Sequence, residues 1–334
     1  MALRIDHIVM TRNFAGVERY VTTTANELSS RGHDVAVLDD FSSGKEENLA
    51  QAGDRIRLIR GSICDPAAAR DACHKADYVL HLAARTSVPR SVADPVDTNR
   101  VNIDGTLNVL IAARDAKVRR VVYAASSAAY GETPTLPKVE TMASAPISPY
   151  GVTKLVGEMY AQVFGRVYDL ENVSIRYFNV FGPRQDPTSQ YSGVLSRFML
   201  AILDGTPPTV YGDGEQSRDF TYVDNVVDIT LRACEAPDAS GKTFNGGTGS
   251  RISLNSVLSN LESITGRKIN RKCEAPRAGD ILHSQADISL ARQILGYEPH
   301  IGFEEGLRRT WQWYSENFAR SAPSANKPQA GVAP

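Results

Sequence analysis

The sequence has no run of 18 uninterrupted apolar residues and no long apolar stretch near its N-terminus. Both a helical membrane span and an export leader are therefore excluded from the reading. It has only four cysteines in 334 residues, Cys64, Cys73, Cys234 and Cys273, and no C-x-x-C pair. That spacing argues against a zinc site or a disulfide framework, fits a reducing cytoplasm, and makes the four small buried hydrophobes. Net charge is almost absent, 37 Lys and Arg against 38 Asp and Glu leaving a formal -1. No overall basic field is there to recruit nucleic acid or an anionic membrane, so small-molecule chemistry is the default. Glycine is scarce where a nucleotide-binding chain most needs it: T-R-N-F-A-G-V-E-R-Y, residues 11–20, follows an apolar run and holds one glycine.

What is present is an alternation. Short β-branched runs near 8–10, 35–38, 56–59, 78–82, 121–124 and 173–178 are separated by amphipathic stretches at 17–31, 66–75, 99–116 and 150–168. Strand and helix at this spacing predict an α/β fold, a Rossmann-type doubly wound parallel sheet, with ligands at the carboxyl ends of the strands. After about residue 180 the rhythm breaks into Gly- and Pro-rich pieces, with helices near 253–265 and 304–318. This predicts a first domain over 1–178 to which 220–236 returns, and a smaller α/β lobe over 179–219 and 237–318. The tail, 319–334, is Pro-, Ala- and Ser-rich and is expected to be disordered.

The chemistry concentrates mid-chain. In S-P-Y-G-V-T-K, Tyr150 and Lys154 stand four apart at the start of a helix and share one face. An ammonium beside a phenol favours the phenolate, so the expectation is a Tyr150 pKa drawn down toward the working pH, as proton exchange with a sugar hydroxyl requires. Alone, the pair is common on solvated helices. However, V-V-Y-A-A-S-S-A-A-Y-G ends a buried strand in Ser126 and Ser127 at the sheet edge where a ligand would lie. Ser126, Tyr150 and Lys154 together are hard to assign to chance.

From about 35 to 318 the chain resembles the extended short-chain dehydrogenase/reductases of the nucleotide-sugar epimerase/dehydratase group. The segments that carry this include V-L-D-D-F-S-S-G-K, H-L-A-A-R-T-S-V-P-R-S-V, S-S-A-A-Y-G, S-P-Y-G-V-T-K, R-Y-F-N-V-F-G-P-R-Q-D-P, Y-G-D-G-E-Q-S-R-D-F-T-Y-V-D and R-A-G-D-I. The resemblance implies a catalytic trio of Ser126, Tyr150 and Lys154, with Lys154 also on the nicotinamide ribose. It implies NAD as cofactor: Asp39, followed by Asp40 and Ser42, takes the adenosine ribose and would repel the phosphate of NADP. Ile63 and Asp65 fall near the adenine, Leu82, Ala83 and Ala84 pass close to the pyrophosphate and ribose, and Asn102 and Tyr177 match further cofactor contacts. Ser62 departs from the family's usual Asp. For a UDP-sugar substrate the implied residues are Ser87, Ser127, Asn179, Tyr211, Arg218, Arg277 and Ser284, the arginines suiting phosphate oxygens. No metal is implied. A homodimer through a four-helix bundle of the helices at 99–116 and 150–168 is.

Related dehydratases and decarboxylases carry an acid just after the strand-end Ser or Thr; here Ser127, Ala128 and Ala129 follow. The resemblance thus favours plain 4-epimerisation through a 4-keto sugar. F-G-P-R-Q-D-P-T-S-Q-Y-S-G-V is most similar to bacterial UDP-N-acetylglucosamine 4-epimerases of polysaccharide pathways. Ser284 stands where relatives restricted to non-acetylated sugars have Tyr, which implies UDP-GlcNAc/UDP-GalNAc interconversion, with UDP-Glc/UDP-Gal as a further pair. The alternatives are an impaired nucleotide-sugar binder with weakened NAD binding, or a related UDP-sugar dehydratase or decarboxylase.

The impaired alternative comes from the first loop. Relatives open close to T-G-G-A-G-F-I-G; read forward from Thr11, the glycine places hold Arg12, Ala15 and Glu18. Side chains there, and an acidic one beside a pyrophosphate, oppose dinucleotide binding. Residues 8–35 are instead similar to the first strand, loop and helix of retaining GT-B glycosyltransferases.

Overall fold

A computed structural model describes residues 24, 28, 32–42, 46–50, 56–185, 193–276 and 282–318. The glycine-poor stretch at 11–20, the strand expected near 8–10, Arg277 and the tail at 319–334 lie outside the described residues.

The described strands of the first part form two parallel groups. β1 (Val35–Asp39) pairs with β2 (Ile56–Arg60), Val35 opposite Ile56. β3 (Tyr78–His81), β4 (Arg120–Ser126), β5 (Glu171–Tyr177) and β10 (Lys242–Gly246) form a four-stranded sheet in the order β10-β5-β4-β3. β3 and β4 are buried throughout, which is why they read as near-continuous apolar runs and not as alternating ones. Successive side chains nonetheless serve opposite faces: Tyr78, Leu80 and Val122 join one core, and Val79 and Val121 the other. The second of these cores lies under α1 (Pro66–Cys73), α4 (Gly105–Asp115) and α5 (Pro149–Tyr168).

α5 starts where local chemistry places it. Pro149 opens the helix and the Ser148 hydroxyl accepts from the Gly151 amide. The helix expected over 99–116 is present, but a π-helical turn interrupts its regular winding. α2 (Val88–Ala93) and α3 (Pro95–Asn99) are short, and a π-helical turn over Arg100–Asp104 leads into α4. Periodicity could not show this, because one wide turn moves the register by a single residue while leaving the stripe apolar.

Among the described residues, the second part carries three two-stranded sheets. β6 (Asn179–Phe181) pairs with β9 (Phe220–Tyr222), β7 (Thr209–Tyr211) with β12 (Lys272–Glu274), and β8 (Ser217–Arg218) with β11 (Ile252–Ser253). Around them are α6 (Val194–Leu203), α8 (Leu254–Thr265) and α9 (Phe303–Phe318). Phe181, Phe220, Tyr222 and Phe303 pack ring against ring between these pieces. α7 (Val223–Glu235) lies on β4 and β5, and the Arg120 guanidinium donates to the carbonyls of Ala233, Cys234 and Ala236 at its end. The boundary placed at 236 needs correction. β10 pairs with β5 residue for residue from Lys242 to Gly246, so the sheet takes in chain that the sequence reading assigned to the smaller lobe. Its F-N-G-G run has no strand alternation of its own; pairing along β5 makes it a strand.

All four cysteines are unpaired. Cys73 and Cys234 are buried and their thiols are pushed up to about 12 by burial, but Cys64 is half-buried and Cys273, on a two-stranded edge, is exposed. The expectation that all four are core residues therefore holds for two. Among the described residues, no helix is long and apolar enough to cross a membrane.

Candidate active site

A cavity of about 440 Å³ opens at the carboxyl ends of β3, β4 and β5. Ser126 enters it from the end of β4, Tyr150 and Lys154 from the first turns of α5, Leu82 from the end of β3 and Tyr177 from the end of β5. Ser87, Asn179 and Arg218 line it as well. Eight residues singled out from the sequence therefore meet in one space, although they span 137 positions from Leu82 to Arg218, counting both ends.

The electrostatics differ from the expectation. Burial raises the Tyr150 phenol above its ordinary value, and the neighbouring Ser126 hydroxyl pulls it back by hydrogen bonding. Lys154 does not supply the pull. Its Nζ donates to the carbonyl of Ala124 at 2.7 Å, and burial drives the ammonium down to about 7 from 10.5. A lysine desolvated this far is only partly charged near neutrality, so its field on the phenol is weak; burial outweighs sequence proximity.

That shift has a measurable consequence. Between about 7 and 10.5 the unfolded chain binds a proton at Lys154 that the folded chain does not, so this group makes stability rise with pH across that window. Lys154→Met removes the dependence. The variant is expected to be more stable than the parent at pH 7, with the advantage shrinking by up to about 1.4 kcal/mol per pH unit as pH rises toward 10. Urea unfolding at several pH values measures it, and an advantage that stays constant with pH would overturn the assignment.

Of the other residues named from sequence, several stand at the right edge with their side chains already engaged. Asp39 is buried at the end of β1 and its carboxylate accepts from the Phe41 amide; Asp40 accepts from the amide and hydroxyl of Ser42. Ile63 turns into the core against Gly105, where a Cβ would strike it, and the Asp65 carboxylate caps α1 through the Ala67 amide. Asn102, at the π-turn, does not reach the cavity. Its amide clamps the backbone of Arg85, accepting from the N–H at 2.6 Å and donating to the carbonyl at 3.0 Å, and donates to Thr153. The Ser87 hydroxyl caps α2 by accepting from the Arg90 amide. Ser127 begins a 3-10 turn beyond β4, outside the cavity lining. Tyr211 lines an adjoining cavity of about 380 Å³, which shares Arg218 and Val194 with the first. Ser284 accepts a 3.3 Å hydrogen bond from the Asn179 amide.

Sequence reasoning missed Thr86, Gln185 and the apolar wall of Phe178, Phe181 and Leu195. Thr86 had a signal, standing beside Ser87 in one motif. Phe178 and Phe181 stand inside the motif R-Y-F-N-V-F, but an apolar residue facing a ligand looks like one facing the core.

A model of the NAD dependent epimerase/dehydratase family matches residues 22–247, beginning beyond the glycine-poor stretch. The chain belongs to this family. It is similar, at 37% identity over 88% of this chain and 94% of the relative, to a UDP-glucose 4-epimerase of Mycolicibacterium smegmatis. Its fold is similar to a solved UDP-N-acetylglucosamine 4-epimerase from Methanobrevibacter ruminantium, in complex with UDP-N-acetylmuramic acid. There the TM-score is 0.88 and the identity 36%, over 94% of this chain and 99% of that one. A Thermus thermophilus UDP-glucose 4-epimerase in complex with NAD gives a TM-score of 0.83 at 32% identity, over 93% and 99%.

The described residues of this epimerase/dehydratase-family chain fit a dinucleotide. A buried carboxylate, Asp39, ends β1; small buried residues, Ala83 and Ala84, follow β3; and Lys154, Leu82 and Tyr177 line the cavity at the same sheet edge. This is the edge at which parallel α/β sheets bind nucleotides.

Proposed function

We propose that the chain is an NAD-dependent UDP-hexose 4-epimerase acting on UDP-GlcNAc and UDP-GalNAc, with UDP-Glc and UDP-Gal as a further pair. The observation that carries this is the meeting of Ser126, Tyr150 and Lys154 in one cavity whose continuation holds Tyr211 and shares Arg218. When bound, NAD would supply reversible hydride exchange at C4 of the sugar, with return to the opposite face inverting that centre. Tyr150 takes the proton of the 4-hydroxyl in its phenolate form, the phenol having first passed its own proton to the partly neutral Lys154 amine, and gives it back at the end of the cycle; Ser126 hydrogen-bonds the same oxygen. Lys154, poised near neutrality, can hold or release a proton beside them. Asp39, with Asp40 and Ser42, would hold the adenosine ribose; Asn102 would act by fixing the loop after β3. Arg218, Asn179 and Arg277 are assigned to the diphosphate and Tyr211 to the uridine.

The absence of an acid at Ala128 and Ala129 supports epimerisation over elimination or decarboxylation. The acetamido group is assigned to the space beside Ser284, which is small and already meets Asn179. Enzyme loaded with NAD is expected to interconvert UDP-GlcNAc and UDP-GalNAc. Ser284→Tyr should lower kcat/KM for that pair by about tenfold or more while sparing UDP-Glc, since the added ring competes only with the acetamido group. Chromatography of the sugar nucleotides decides both points; loaded, folded protein that leaves UDP-GlcNAc and UDP-Glc unchanged ends the proposal.

We also infer a homodimer. Val152, Met159, Val163 and Val167 form one stripe along α5 and are 45, 57, 47 and 63% exposed. Val92 and Val96 on neighbouring α2 and α3 are exposed as well, a patch that a second copy's helices would cover. Light scattering that gives the mass of one chain at micromolar concentration would rule this out.

A further inference from the structure

Between β4 and α5 lies a buried polar cluster that the proposed reaction leaves unused. Tyr123, 1% exposed, sits on β4 opposite His81 of β3. Its ring centroid is 5.0 Å from the Lys154 Nζ, and its hydroxyl is 3.4 Å from the Lys154 carbonyl. The next residue along the strand, Ala124, provides the carbonyl that accepts from Nζ. One dipeptide thus meets the lysine with a π face and with a carbonyl oxygen.

The seat for the ring is built from three other elements. On α5, three residues after Lys154, Gly157 leaves open the space that the Tyr123 hydroxyl occupies; a Cβ there would collide with it. From β3 the His81 ring packs at 5.5 Å, tilted by 45°. From α4 the Thr106 hydroxyl bonds the His81 Nε2 at 2.8 Å and the Tyr123 hydroxyl as well. Burial and the nearby lysine push His81 down to about 3, so it remains neutral and places no competing cation against Nζ. The other titratable and charged groups that share the cavity lining with Lys154 are Tyr150 on α5, Tyr177 at the end of β5 and Arg218, and Glu158 follows Lys154 by one turn on α5. Glu158 and Arg176 are bound to each other, which leaves the Tyr123 ring as the close electron-rich surface under Nζ.

We propose that Tyr123 is a positioning residue for Lys154: its ring holds the ammonium against the Ala124 carbonyl at the cavity edge, and Gly157 and Thr106 hold the ring. A cation over an aromatic face is favoured over the neutral amine, the more so where water is excluded. Without the ring, Lys154 loses its proton at lower pH and its Nζ is no longer confined. This rests on Lys154 serving the reaction proposed above, and the test separates the two.

The Lys154 side chain can be titrated directly by NMR in protein carrying labelled lysine, its signal assigned by its loss in Lys154→Met. Tyr123→Phe keeps the π face and is expected to titrate with the parent. Tyr123→Leu is expected to lower the midpoint by about half a unit to one unit. Pentafluorophenylalanine at 123 keeps the ring's shape, reverses its quadrupole, and should lower the midpoint at least as far. It decides the matter if the Leu variant does not fold. In NAD-loaded protein the same two variants should lose about three- to tenfold in kcat, hold KM within about twofold, and move the alkaline limb of the pH profile to lower pH by the same amount. Midpoints equal to the parent's in both variants would overturn the proposal. A parent chain without turnover would end the epimerase reading and leave the titration to decide the role of Tyr123.

Discussion

Replacing Tyr150 with Phe is expected to lower kcat for UDP-sugar epimerisation by about a thousandfold, in the middle of the range that a positioned acid–base group contributes. The change deletes one oxygen. Phe keeps the ring that lines the cavity, and the residue's place at the start of α5 is set by backbone groups: its amide donates to the Ser91 hydroxyl, and its carbonyl accepts from Thr153. Loading with NAD and affinity for UDP should therefore stay within about twofold, since neither depends on proton transfer. The partners that remain cannot substitute. Ser126 has a hydroxyl far weaker as an acid than a phenol, and it is already accepting from the Ala128 amide. Lys154 is turned to the Ala124 carbonyl. Single-turnover assays on NAD-loaded protein, beside calorimetric titration with UDP, measure the two halves of this statement. A Phe variant that keeps more than a tenth of the parent rate would show that the phenol does not carry the proton.

The largest loss of stability is expected at Glu158→Ala. Glu158 on α5 accepts from Nη2 and Nε of the Arg176 guanidinium on β5, at 2.7 and 2.9 Å, and each side chain is only 5% exposed. Arg176 also lies over the Tyr130 ring at 4.5 Å and donates to Ser144, and Thr243 on β10 donates to Glu158. Removing the carboxylate leaves a guanidinium in the interior without its counter-charge, which costs about 3–5 kcal/mol. Removing both partners, as in Glu158→Leu with Arg176→Met, leaves no buried charge and should recover most of that loss. Denaturant unfolding of the two single variants and the double variant measures the coupling. If the double variant is as unstable as Glu158→Ala alone, the loss comes from packing and not from the stranded charge. Because α5 also carries Tyr150 and Lys154, this pair fixes that helix to the sheet one turn beyond Lys154.

The two predictions differ in how visible their residues were in the sequence. Tyr150 stood out by spacing: four residues before a lysine, after a capping Ser-Pro, and downstream of a strand that ends in serines. Glu158 and Arg176 carried no such signal. Eighteen positions apart on a helix and a strand, each looks like one of many surface charges until β5 and α5 are packed together. Asn102 shows the intermediate case. Its importance was readable from a motif, but its hold on the Arg85 backbone was not, because the π-turn that aims its amide there is a shift of one hydrogen bond that no residue pattern announces.

Local order and the chemistry of adjacent residues were determined by the sequence itself. The strand and helix alternation, the capped start of α5 and the shared face of Tyr150 and Lys154 follow from interactions within a few residues. They hold whatever the rest of the chain does. The tertiary structure alone decided the energies of those same groups. Burial, not neighbourhood, sets the Tyr150 phenol high and the Lys154 ammonium near neutrality. The pairing of β10 with β5 draws a late segment into the first sheet, and Tyr123 comes beneath Lys154 only because a strand and a helix 31 residues apart are pressed together. Desolvation and long-range pairing depend on what surrounds a residue in space, and one-dimensional spacing carries little record of either.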